Sequence, residues 1–111
     1  MRCAIIGSRS FHNYALLVET LNNYNDVTQI ISGGAKGADA LAARYAKENN
    51  IELVEFLPDK SLGRGMYHRR NDQIVEHCDR LIAFWDGKST GTKYTIDKAR
   101  KSRREVRIIT F

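Results

Sequence analysis

Four glycine-bearing segments carry the residue types that could do chemistry in this chain. They are Gly7-Ser8-Arg9, the run from Ser32 through Gly33, Gly34, Ala35, Lys36, Gly37 and Ala38 to Asp39, the pair Arg70-Asn71 with Gly63 and Gly65 before it, and Asp86-Gly87 through Ser89 to Gly91-Thr92. Small residues ahead of a helix let backbone N–H groups close on an anion, and the helix dipole favours negative charge there. Ser32 to Asp39 therefore has the composition of a phosphate cradle. It is not a Walker A loop, because Lys36 is followed by Gly37 rather than Ser or Thr. Nor is it a dinucleotide fingerprint, since the first apolar run ends in Gly-Ser-Arg instead of GxGxxG and no acid closes the second run to hold a ribose. The competing reading of these glycines is tight turning and close helix packing.

Ser8 and Arg9 offer a hydroxyl and a planar five-donor fork, suited to a phosphate or a carboxylate. Arg69 and Arg70 are adjacent, and successive helical positions diverge by about 100°, so one of the two faces inward. Arg70 is the expected inward one. Asp39 serves either as a ligand contact or as a first-turn acid that favours the dipole and organises the loop. Asp86, Ser89, Gly91 and Thr92 form a further loop running into a helix, rich in hydroxyls and also readable as a plain N-cap. Asp39, Asp86 and Arg70 are the catalytic candidates, two carboxylates that environment could set apart and a charge clamp. The residues name a site more clearly than a reaction.

The elements that must position these loops alternate strictly. Residues 2 to 6, 28 to 31, 52 to 56, 80 to 85 and 105 to 110 are short runs rich in β-branched or aromatic residues and read as strands. Segments 13 to 23, 37 to 49, 66 to 77 and 91 to 103 have helical length, with Ala38, Leu41, Ala42, Tyr45 and Ala46 at spacings of three and four. Such β-α alternation predicts an α/β fold with right-handed crossovers, a Rossmann-like three-layer α/β/α sandwich on a parallel five-stranded sheet of order 3-2-1-4-5. The strand order then reverses between the first and fourth strands, which sets Gly7-Ser8-Arg9 beside Trp85-Asp86-Gly87 at the edge where ligands bind in such sheets.

At 111 residues, with one proline and 42% hydrophobic content, the chain is expected to form one domain over residues 1 to 111. No stretch has the roughly 18 uncharged apolar residues of a membrane span, and Met1 leads directly into a strand, so a cytoplasmic location without membrane contact is expected. Cys3 and Cys78 form no CxxC pair and read as reduced, buried thiols. His12, His68 and His77 have no metal-ligand spacing, so neither a metal nor a cofactor is expected. Eighteen Lys and Arg against thirteen Asp and Glu give a net charge of +5, which favours an anionic partner. Lys98, Arg100, Lys101, Arg103, Arg104 and Arg107 concentrate that excess near the C-terminus, where helix-end cations covering exposed surface are the plainer reading and nucleic-acid contact the less favoured one. A homo-oligomer, dimer or larger, is expected, with Tyr14, Tyr24 or Tyr94 at its surface.

The ordered set Gly7-Ser8-Arg9, Ser32-Gly33-Gly34-Ala35-x-Gly37-Ala38-Asp39, Arg70-Asn71 and Ser89-x-Gly91-Thr92 resembles the YspA-related, CpYpsA-like branch of the SLOG superfamily, which is distantly similar to the LOG phosphoribohydrolases and to the DNA-processing protein DprA. That resemblance, which spans nearly the whole chain, implies a bacterial or phage protein that binds nucleotides or nucleotide-derived ligands. Gly33, Gly34 and Gly37 would line the phosphate, Ser8 and Arg9 would contact it or the sugar, and Arg70, Gly91 and Thr92 would close the pocket. LOG enzymes carry a glutamate two or three places after the Gly-Thr pair, where this chain has Tyr94 and Thr95. Relatives of the branch commonly have Ala-Gly where Met66-Tyr67 stand. A binding or sensing module is therefore expected, with a nucleotide N-glycosidase as the alternative and DprA-like binding of single-stranded nucleic acid as the second alternative.

Overall fold

The inner strands carry apolar side chains on both of their faces, and that dictates a sheet covered twice. In the computed structural model, which describes all 111 residues, β1 (Arg2–Gly7) sends Cys3 and Ile5 into one core and Ala4 and Ile6 into the other. β4 (Arg80–Trp85) divides in the same way, Ile82 and Phe84 against Leu81 and Ala83. β2 (Gln29–Ser32) separates Ile30 from Ile31. The outer strands, β3 (Glu52–Glu55) and β5 (Glu105–Thr110), carry exposed charges beside partly buried apolar residues, which discourages pairing at the open edges.

All four ladders are parallel and the order is β3-β2-β1-β4-β5. Helices α1 (Tyr14–Asn22) and α2 (Ala38–Glu48) cover one face with Leu17, Leu21, Ala42 and Ala46, while α3 (Met66–His77) and α4 (Thr90–Lys101) cover the other with Ile74, Val75, Ile96 and Ala99. This is the three-layer Rossmann-like sandwich that the alternation predicts. No helix is long and apolar enough to cross a membrane.

Boundaries move by one or two residues for identifiable reasons. Asn13 stays outside α1 because its side-chain oxygen accepts the Leu16 N–H at 3.1 Å and caps the helix. Thr28 stays outside β2, its hydroxyl held by the N-terminal ammonium at 3.0 Å. A 3-10 segment, Lys60–Gly65, precedes α3 and has no counterpart among the predicted elements, being polar, glycine-broken and without any buried residue. At the opposite edge from the glycine loops, the buried Arg80 guanidinium pairs with Asp26 at 2.9 and 3.1 Å, with Glu105, and with the Tyr24 ring at 4.0 Å, tying β4 to β5 and to the connection between α1 and β2.

Candidate functional site

Because all the strands are parallel, α2, α3 and α4 all begin at the edge where β1 and β4 end, and their N-termini converge there. A cavity of about 650 Å³ lies at this point of reversal, within the usual range for small-molecule sites. Gly7 permits the convergence, since a Cβ on it would stand 2.7 Å from that of Ala38 in the first turn of α2. Ser8 ties the two central strands together past their ends: its N–H donates to the Phe84 carbonyl at 3.0 Å, and its hydroxyl oxygen accepts the Asp86 N–H at 3.1 Å.

Of the adjacent arginines, Arg70 turns inward and is 8% exposed, while Arg69 faces solvent near Glu76. Arg70 donates from Nε to Asn71 Oδ1 at 2.8 Å and from Nη1 to the Gly33 carbonyl at 2.5 Å. Its Nη2 has no partner in the chain, and neither has the Asn71 amide nitrogen, although both residues line the cavity. Burial lowers the Arg70 pKa against the raising effect of Asp39, yet an arginine stays protonated across the accessible range. A buried guanidinium with an unused donor edge facing a cavity is an anion clamp by chemistry.

The two carboxylates are already engaged. Asp39 accepts the Ala35 N–H at 3.1 Å, and burial pushes its pKa up against the lowering effect of that bond and of the Arg70 charge. Asp86 Oδ1 accepts the Ser89 and Lys88 N–H groups, each at 2.8 Å, and these bonds lower its pKa. The pair is thus driven in opposite directions within one cavity, which both residues line.

The Ser32 to Asp39 loop departs most from its expected part. Ala35 and Asp39 line the cavity, but Ser32, Gly33, Gly34 and Gly37 stand behind it. Asp39 occupies the Ala35 N–H of this loop. A Cβ at Gly33 would lie 2.7 Å from Arg70 Cζ, and one at Gly37, where φ is +76°, would lie 2.5 and 2.6 Å from the Ser8 and Arg9 carbonyl oxygens. These glycines seat Arg70 and the loop after β1; they do not face the cavity.

A further helix N-terminus opens on the cavity at α4. Ser89, Thr90, Gly91 and Thr92 line the cavity, the first N–H groups of the helix have no acceptor within it, and the Ser89 and Thr92 hydroxyls lie 3.1 Å apart. Gly7, Ser8 and Arg9 complete the expected residues found in the lining. Arg64, Tyr67, His68, Ser10 and Thr90 line it as well and were not anticipated. Tyr67, Arg70, Asn71 and Ile74 follow the i, i+3, i+4, i+7 spacing of one helical face, so choosing Arg70 as inward already implied Tyr67.

Residues 1–63 match the model of the YspA, cpYpsA-related SLOG family. Among solved structures, the chain is similar to DNA processing protein A (DprA) from Streptococcus pneumoniae, with 23% sequence identity and a TM-score of 0.81, over 99% of this chain and 50% of that one. At that identity the likeness is one of fold, and this chain spans half the length of the DprA chain it matches. No match was found among curated proteins.

Proposed function

Because the chain belongs to the YspA, cpYpsA-related SLOG family, we propose that it binds a nucleotide or nucleotide-derived ligand in the cavity at the C-terminal edge of the sheet and acts as a binding or sensing module. The observation that carries this reading is the unpaired Nη2 of buried Arg70 in the same cavity as the open N-terminus of α4. A phosphate between them accepts charge-assisted bonds from Arg70, backbone bonds from Thr90 to Thr92, and hydroxyl bonds from Ser89 and Thr92. Ser8 and Asn71 lie where a sugar would follow, with Arg9 beyond them beside Tyr67. Ser32, Gly33, Gly34, Ala35, Gly37 and Asp39 act on the ligand by holding Arg70 and the loops in place.

The divergent carboxylates favour one second reading, nucleotide N-glycosidase activity, with Asp39 kept nearer to a protonated acid and Asp86 kept ionised. Against it, each carboxylate is spent on backbone N–H groups of its own loop. Incubation of adenosine 5′-monophosphate with the protein, followed by chromatography, separates the two readings. Recovery of the intact nucleotide with measurable binding supports the module; release of adenine with ribose 5-phosphate makes the protein a hydrolase. A single domain working in the cytoplasm, as a homo-oligomer, completes the proposal.

A further inference from the structure

Tyr67 stands in the cavity wall at the first turn of α3, 42% exposed, with the Arg9 guanidinium carbon 5.8 Å from its ring centroid and that of Arg70 5.9 Å. Elsewhere in the molecule two arginines close on tyrosine rings, Arg44 on Tyr14 at 3.9 Å and Arg80 on Tyr24 at 4.0 Å, while Arg107 stands 5.9 Å from the centroid of that same Tyr24 ring. Neither arginine closes on Tyr67 in the manner of the first two. A flat ring inserted between two flat neighbours needs about 3.5 Å on each side, or about 7 Å in all. Arg9 is exposed and makes no hydrogen bond or ion pair within the chain, so its long side chain can yield the missing ångström, whereas Arg70 is held by Asn71 and Gly33.

The charge of the surroundings selects the occupant of that gap. Three arginines, Arg9, Arg64 and Arg70, line the cavity against two carboxylates, Asp39 and Asp86, so the lining carries a net positive charge that disfavours a cation. An uncharged aromatic ring joined to an anion fits. Resting on the nucleotide reading above, we infer that the base of the ligand stacks between the Tyr67 ring and the Arg9 guanidinium, with its phosphate directed toward Arg70. Stacking of this kind rewards ring area, so the pair makes the site prefer purine over pyrimidine nucleotides.

Calorimetric titration of adenosine 5′-monophosphate, cytidine 5′-monophosphate and ribose 5-phosphate into the folded protein tests this. The purine nucleotide is expected to bind on the order of tenfold more tightly than ribose 5-phosphate, with the pyrimidine between them. Tyr67→Ala and Arg9→Lys, the second of which keeps the charge and removes the plane, should each bring the purine nucleotide to the level of ribose 5-phosphate and leave ribose 5-phosphate unchanged. Tyr67→Phe should keep the wild-type difference. Wild-type affinity of the purine nucleotide in either Tyr67→Ala or Arg9→Lys overturns the stacking role, as does a purine nucleotide that binds no better than ribose 5-phosphate. Failure of all three compounds to bind the wild type overturns the nucleotide reading itself, and the stacking role with it.

Discussion

Gly33 and Arg70 are 37 positions apart in sequence and act as one unit: the missing side chain of the first is the seat of the second. Gly33→Ala places a methyl group against the far end of a long side chain, so Arg70 moves and the backbone does not. The expected result is a loss of about 10- to 100-fold in nucleotide affinity, the value of hydrogen bonds to a charged donor, with Tm changed by only a few degrees. Calorimetry beside thermal unfolding checks it; a large fall in Tm with affinity retained would assign Gly33 to the backbone instead. Asp39 supplies a second residue-scale prediction. Burial raises its pKa in the folded protein, so ionising it costs stability that is absent below the ordinary aspartate range and enters as pH rises through the interval up to the raised value. Urea unfolding from about pH 4 to about pH 7 should show a flatter pH dependence for Asp39→Asn than for the wild type; parallel profiles contradict it. The seat of Arg70 on Gly33 was not legible in sequence, because nothing in a separation of 37 positions shows the contact, whereas a carboxylate that organises its own loop was one of the two readings open for Asp39.

At the scale of elements the fold was readable because each inner strand must bury both faces and each crossover must return the chain to the same edge. That placed Ser8 beside Asp86 and α4 against the cavity. The 3-10 segment Lys60–Gly65 was not readable, since its stability comes from local turns such as the Asp59 side chain accepting the Ser61 N–H at 3.0 Å, with no apolar period to betray it. It nevertheless delivers Arg64 to the site, which is why Arg64 was missed, whereas Tyr67 lies on the helical face that Arg70 marks and was within reach of the period. Gly37 belongs to this scale as well, joining β1 to the N-terminus of α2. Gly37→Ala meets a positive φ and two backbone carbonyls that have no free end to swing, so it should cost about 3 kcal/mol or more. Denaturant unfolding measures that loss, and a cost under about 1 kcal/mol would show that the loop after β1 can shift away.

The whole molecule sorts its charges by edge. Arg80, Asp26 and Glu105 satisfy one another away from the cavity, and Arg104 in the basic C-terminal segment donates to the Val75 and Glu76 carbonyls at the end of α3. Within the basic C-terminal segment, Arg104 therefore has a structural role. Of the aromatic side chains, Tyr67 and Phe111 are the strongly exposed ones, too few for a track of stacked bases. Single-stranded DNA is accordingly expected to give no shift in a gel at low salt, where phosphate contacts are strongest; a shift that weakens steeply with added salt would point to strand binding.

The central claim is that a nucleotide occupies the cavity through Arg70, and mass spectrometry of small molecules released by denaturing the purified protein tests it most directly. Wild type should release a phosphate-bearing compound with an aromatic base, and folded Arg70→Met should release none. The same compound recovered in equal amount from Arg70→Met would contradict the account.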